Sequence, residues 1–264
     1  MKEIRLCDDA EVEKVMSLCL ENNLGIEVQG FYNPILINTK ESDDILLKYK
    51  KALKDFKGGK SLHAPFWDLN LGSKNPAVRE ATMKAYNYAY DVAKALGCTE
   101  IVVHNGFVPN TSYYQGWVKN ATAFWQEFFK DKDNSITMMI ENQCEEDSEV
   151  LKMEIDSVND SRLKVCLDIG HANANSNMSV EDWIKTLGNR IGYLHLHNNH
   201  GKISGRPSYM NDEHLGLSDG TINVEKVFRL LEDHCPDAIW NVECRLDFIK
   251  ESVDVLKKLK YIST

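Results

Sequence analysis

The sequence predicts a (β/α)₈ barrel, and three observations carry that reading. Eight short apolar or β-branched runs alternate with amphipathic stretches along the chain. The length of 264 residues suits a closed barrel of eight such units. From the third run onward, each run ends in an imidazole or a carboxylate, as expected where the C-terminal ends of parallel strands form one active face.

The runs are EIRLC (3–7), GIEVQGF (25–31), SLHAPF (61–66), EIVVHNG (100–106), ITMMIEN (136–142), LKVCLDIGH (163–171), IGYLHLHNN (191–199) and IWNVEC (239–244). Between them, residues 10–23, 43–56, 76–97 and 224–234 place apolar side chains at i, i+3, i+4 spacing and read as helices. Gly97 is positioned to end one helix, and Asp219-Gly220-Thr221 to precede another. No Pro/Gly/Ser-rich linker interrupts the alternation, so residues 1–264 are expected to form a single barrel domain. An open doubly wound sheet with two extra strands is the alternative architecture.

An apolar fraction of 43% and a charged fraction of 27% are ordinary for a globular protein. The net charge of -9 gives no sign of nonspecific nucleic-acid affinity, although a metal cluster can reverse the field locally. Seven cysteines without a CxxC pair suggest reduced thiols rather than a disulfide framework or a zinc ribbon. The N-terminal stretch lacks the apolar region of a signal peptide, and no run is long enough to span a bilayer. The expected location is cytoplasmic, with no membrane partner and the oligomeric state open.

The candidate ligands follow the strands. His63 and His104 each close an apolar run, and Glu141 follows the largely apolar run ITMMI, where an unpaired carboxylate would be costly to bury. Glu243 repeats that pattern on the last strand. Asp168 and His171 stand three apart across Gly170, which is expected to let the backbone turn so that both reach the barrel mouth. His195 and His197 share a strand face, with His197 either binding substrate or holding a ligand carboxylate. Asp212 and His214 lie in the loop after strand seven and can clamp a metal from above. Five imidazoles and four carboxylates suit Zn²⁺, Mn²⁺, Fe²⁺ or Co²⁺, and nine ligands are enough for one to three ions. Phe66 and Trp67 are expected to line a substrate pocket, and Lys202, Arg206 and Arg245 to hold an anionic group. Trp117, Trp125 and Trp183 read as packing residues, His200 as a loop residue and His234 as a helix C-terminal residue.

At SLHAPF, VVHNGF, MIENQ, LDIGHANA, LHLHNN, DEHLG and NVECR the chain resembles the xylose isomerase-like barrel superfamily. That superfamily contains the sugar phosphate isomerase/epimerase proteins and the endonuclease IV family. Resemblance to the epimerases implies one divalent ion, zinc or manganese, held by Glu141, Asp168, His195 and Glu243. Glu141 and Glu243 would then serve as acid and base, with His171 on a substrate oxygen. Resemblance to endonuclease IV implies three zinc ions held by His63, His104, Glu141, Asp168, His171, His195, Asp212, His214 and Glu243. The run His195-Leu196-His197-Asn198-Asn199 departs from the HLND-Ser-Lys pattern of the endonucleases, and Glu27 reads like the isomerase group. The leading expectation is therefore a metal-dependent isomerase or epimerase of a sugar, sugar phosphate or polyol. The alternatives are a zinc-dependent phosphodiesterase acting on abasic DNA and a non-catalytic sugar-binding relative.

Overall fold

A computed structural model describes residues 2–263. In chain order it contains β1 (Ile4–Cys7), α1 (Val12–Asn22), β2 (Gly25–Val28), α2 (Lys40–Ala52), β3 (Lys60–His63), α3 (Pro76–Leu96), β4 (Glu100–His104) and α4 (Tyr114–Phe128). It continues with β5 (Thr137–Glu141), α5 (Glu149–Val158), β6 (Leu163–Asp168), α6 (Ile169–Asn175), α7 (Val180–Leu187), β7 (Ile191–Leu196), α8 (Val224–His234), β8 (Ile239–Val242) and α9 (Leu246–Lys258). The strands pair in sequence order, all parallel, and β8 closes on β1. The closed barrel replaces the open-sheet alternative.

Alternation along the strands divides the core in two. Leu6, Ile26, Leu62, Ile101, Val103, Ile140, Leu194 and Trp240 pack outward into the large cluster shared with the helices. Val102, Met139, Cys166 and Tyr193 form a separate apolar cluster, and Arg5, Glu27 and Ser61 occupy strand positions of the inward parity. The barrel interior is layered accordingly. Near its base Arg5 binds Glu3 at 2.6 Å and Glu100 at 2.5 Å. Above it the Tyr193 hydroxyl lies 2.7 Å from Ser61 Oγ, and above that Glu27 meets His195 at 3.2 Å.

Helix ends follow local chemistry. α3 begins with Pro76 behind the Asn75 cap, whose side chain accepts from Ala77 N, and stops at Gly97 with φ +72 as the sequence predicts. Asp219-Gly220-Thr221 precedes α8 as expected, and the capping residue is Asn223, which accepts from Lys226 N at 3.1 Å. α2 starts at Lys40, ahead of its apolar pattern, because the Thr39 hydroxyl accepts from Ser42 N at 3.2 Å. β6 is followed by two helices rather than one. Trp117, Trp125 and Trp183 are buried packing residues. His200 is half exposed and paired with Glu213, and His234 ends α8. All seven cysteines are free, and only Cys144 is exposed. Among the described residues no helix is long and apolar enough to cross a membrane.

Segment 197–223, between β7 and α8, is held by main-chain bonds between Asn198 and Leu215 of 3.1 and 2.9 Å. The buried Asn198 amide also donates to the carbonyls of Leu217 and Ile222. These bonds fix the loop that carries Asp212 and His214.

A second buried polar group lies behind β4. Trp125 Nε1 donates to Glu154 Oε1 at 2.7 Å, and Asn105 Nδ2 donates to Oε2 at 3.4 Å. Burial pushes the Glu154 carboxyl up to about 8. A raised carboxyl stabilises the fold fully below the unfolded-state value near 4.5 and loses that contribution as pH rises through about 8. Glu154→Gln should therefore flatten the fall in stability between about pH 5 and about pH 9, by an amount on the order of a few kcal/mol. Urea midpoints of both proteins across that range measure it; parallel curves would contradict the assignment.

Candidate metal centre

The barrel register brings the strand-end groups together. His104 lies beside Glu141 across β4 and β5, and Asp168 beside His195 across β6 and β7. All nine predicted ligands converge on the C-terminal mouth in three groups, each with donor atoms within 4.8 Å of one another. The groups are His63, His104 and Glu141; Glu141, Asp168, His195 and Glu243; and His171, Asp212 and His214, joined by His197.

Glu141 belongs to two of them. Its Oε2 lies 3.2 Å from His63 Nε2 and 2.9 Å from His104 Nε2. Its Oε1 lies 3.2 Å from both His195 Nδ1 and His171 Nδ1. Burial alone would raise this carboxyl, but the imidazoles of His195 and His104 hold it well below the usual carboxylate range. Burial opposes charge on His195 and His171 too. The neighbouring Glu243 and Glu27 hold His195 well above the usual histidine value, and Asp168 and Asp212 do the same for His171. His214 is held at about 9 against burial by its bond to Asp212.

Outer bonds orient the rings. His63 Nδ1 lies 3.0 Å from the Ala64 carbonyl, His171 Nδ1 2.8 Å from that of Asn142, and His214 Nδ1 2.7 Å from that of Glu243. Each leaves Nε2 facing a carboxylate at the mouth. His214 has φ +46, left-handed backbone in a non-glycine residue, and Arg245 N donates to its carbonyl at 2.9 Å.

A divalent cation fits these residues. His195 Nδ1 and Glu243 Oε2 are 2.8 Å apart, yet both are buried without a hydrogen bond, as are His104 Nδ1 and Asp212 Oδ1. Two donor atoms that close but out of hydrogen-bond geometry are arranged as lone pairs aimed at a shared cation would be. Mixed imidazole and carboxylate donors suit zinc, manganese or iron.

A cavity of about 360 Å³ opens onto the groups, lined by Asp9, Gln29, Tyr32, Phe66 and Gln143 together with His63, His104, Glu141, His171, Asp212, His214 and Glu243. Phe66 stacks on His104 with centroids 4.5 Å apart, and Tyr32 stacks on Phe66 at 6.0 Å. Trp67 packs edge-on against Tyr32 and Phe66, outside the lining, and is half exposed. Lys202 and Arg206 lie apart, on a neighbouring cavity of about 460 Å³, where Arg206 is 3.4 Å from Glu213 and Lys202 donates to Asn177. Arg245 stands just before α9 without a side-chain capping bond, its guanidinium 5.4 Å over the Phe248 ring. The expected cationic grip is thus not assembled at the metal groups.

Two further departures concern β6 and β2. Asp168 does not precede a glycine turn: its side chain caps α6 by accepting from His171 N at 2.6 Å, and Gly170 is helical. Glu27, which carried no site role in the sequence reading, accepts from His195 Nε2, while Gln29 Nε2 donates to Glu27 at 3.2 Å and to Glu243 at 2.5 Å. Their i, i+2 spacing at the end of β2 was the available signal. Glu27→Ala should weaken metal binding by roughly 10- to 100-fold, since it frees the His195 ring. Metal titration of the stripped protein checks this, and unchanged affinity would remove Glu27 from the site.

A closed parallel barrel with histidines and carboxylates gathered at its C-terminal mouth is a TIM barrel with candidate metal-ligand groups on its active face. The profile described as xylose isomerase-like TIM barrel matches residues 24–259, and the chain belongs to that family. An uncharacterised protein, MJ1311 of Methanocaldococcus jannaschii, is 30% identical over 229 residues, covering 80% of this chain and 74% of that one. A probable endonuclease 4 of Mycobacterium leprae is 25% identical over 173 residues, covering 62% of this chain and 65% of its own length. Among solved structures, a D-tagatose 3-epimerase-like protein superposes with a TM-score of 0.76 at 24% identity, covering 99% of this chain and 97% of that one, which is a likeness of fold.

Proposed function

We propose that the protein is a divalent-metal-dependent phosphoester hydrolase. The observation that carries this reading is Glu141, whose two oxygens face different imidazole sets. An isomerase needs a carboxylate free to take a proton from a substrate carbon. Glu141 is 1% exposed and both of its oxygens already face imidazoles, an arrangement that suits a carboxylate shared between two ions better than a free base. When bound, closely spaced divalent ions activate water and neutralise charge on the attacking and leaving oxygens of a phosphoester. His63, His104, Glu141, Asp168, His171, His195, Asp212, His214 and Glu243 would hold them. Glu27 and Gln29 fix His195 and Glu243 from below. The Phe66 and Tyr32 rings offer a wall for the organic part of the substrate, and Gln143 an amide.

The similarity to probable endonuclease 4 supports phosphoester chemistry. A small substrate fits better than a long DNA strand, because Arg206 is engaged by Glu213 and the cavity lining contains no lysine or arginine.

The isomerase or epimerase reading stands second, favoured by that same cation-poor, aromatic-walled cavity. Assays of zinc- and manganese-loaded protein should set bis(p-nitrophenyl) phosphate and an abasic-site duplex against a panel of ketoses and aldoses. Hydrolysis of the diester, lost in Glu243→Gln, is the expected result. Interconversion of a sugar with no phosphoester cleavage would overturn the proposal.

A further inference from the structure

His197 takes one of the two roles expected of it, holding the carboxylate of Asp168, and not the other. It is fully buried behind the groups that face the cavity, so it does not line the substrate space. Its Nε2 lies 3.1 and 3.2 Å from the two oxygens of Asp168 and 3.8 Å from Asp212 Oδ1, an oxygen buried without a hydrogen bond. Its donor atom falls within the same 4.8 Å group as those of His171, Asp212 and His214. The ring lies parallel to His214, with centroids 3.9 Å apart and planes 10° apart.

The room for that ring comes from Gly170. Gly170 has ordinary helical backbone, so conformational freedom does not require a glycine there. A Cβ at this position would instead overlap the imidazole of His197. The DIGH segment therefore supplies two ligands and, between them, the space for a third imidazole.

We propose that His197 is a fourth donor to the ion held by His171, Asp212 and His214, making that position a closed site of three imidazoles and one carboxylate. Four protein donors complete the usual zinc shell, which is the pattern of an ion kept permanently rather than one that opens a position to substrate. The neighbouring group of Glu141, Asp168, His195 and Glu243 has the opposite composition, one imidazole and three carboxylates. It suits harder ions such as manganese, so the two positions should differ in how firmly they retain zinc. This inference depends on the donors alone and stands whichever reaction the protein catalyses.

The test uses zinc itself. Full-length protein loaded with zinc is stripped with increasing EDTA, the retained metal is counted, and zinc-edge anomalous maps locate each ion. The wild type should release the ion near His214 last. His197→Asn should weaken that site by at least ~100-fold, more than the loss of an orienting residue costs. Gly170→Ala, which alters no ligand but displaces the ring, should do the same, with circular dichroism melting to check that both variants fold. If both variants keep the ion, or lose the one beside Asp168 instead, His197 only orients Asp168 and the proposal fails.

Discussion

Glu141→Gln is expected to lower bound metal from about three ions per chain to about one and to abolish turnover. Its two oxygens each serve a different group, so neutralising one side chain damages two positions at once. The amide keeps the size of the side chain but presents one oxygen and one N–H₂, and the N–H₂ cannot face a cation. The imidazoles of His63, His104, His171 and His195 would lose the anion on which they converge. The loss in activity should exceed the roughly 100-fold that removal of an orienting residue costs. Elemental analysis of purified variant and wild type is the check. A variant that loses one ion only would mean that Glu141 is not shared.

Arg5→Ala should destabilise the fold by about 3–5 kcal/mol while leaving every donor atom of the metal groups in place. Arg5 is 1% exposed, beneath the polar layers of the barrel, and is paired with Glu3 and Glu100. Its guanidinium also lies 5.7 Å from the Tyr193 ring. Truncation leaves the mostly buried Glu100 without its cation and opens a void below Ser61 and Tyr193. The Glu3 pair contributes little of the loss, because Glu3 is half exposed and screened by water. Chemical denaturation compared at matched metal loading measures the effect; a change under about 1 kcal/mol would show that the pair is dispensable.

These two residues mark the boundary of what the sequence makes legible. The eight-unit alternation and the ligand types at strand ends can be read directly, because strand parity and burial cost constrain which residues occur there. His63, His104, Glu141, Asp168, His195 and Glu243 all meet as that logic implies. Relations across the barrel are different. Glu27 and His195 stand on β2 and β7, which are not neighbours, so no spacing along the chain reveals their bond. The same holds for Arg5 of EIRLC, whose burial and partners are set only when the barrel closes around it.

The loops were the less legible part. Lys202 and Arg206 look available for an anion in the sequence, but the folded loop returns Glu213 against Arg206. Gly170 reads as a turn residue, yet the space it leaves is filled by His197 from another strand end. In each case the deciding partner is distant in sequence, and side-chain packing rather than periodicity sets the outcome.

The central claim is that one shared carboxylate organises several ions at the mouth. Metal counting on wild-type protein reconstituted with zinc, with anomalous diffraction to locate each ion, tests it most directly. The prediction is about three ions per chain, two of them on opposite oxygens of Glu141. A single ion held by Glu141, Asp168, His195 and Glu243, with His63 and His104 free of metal, would contradict it.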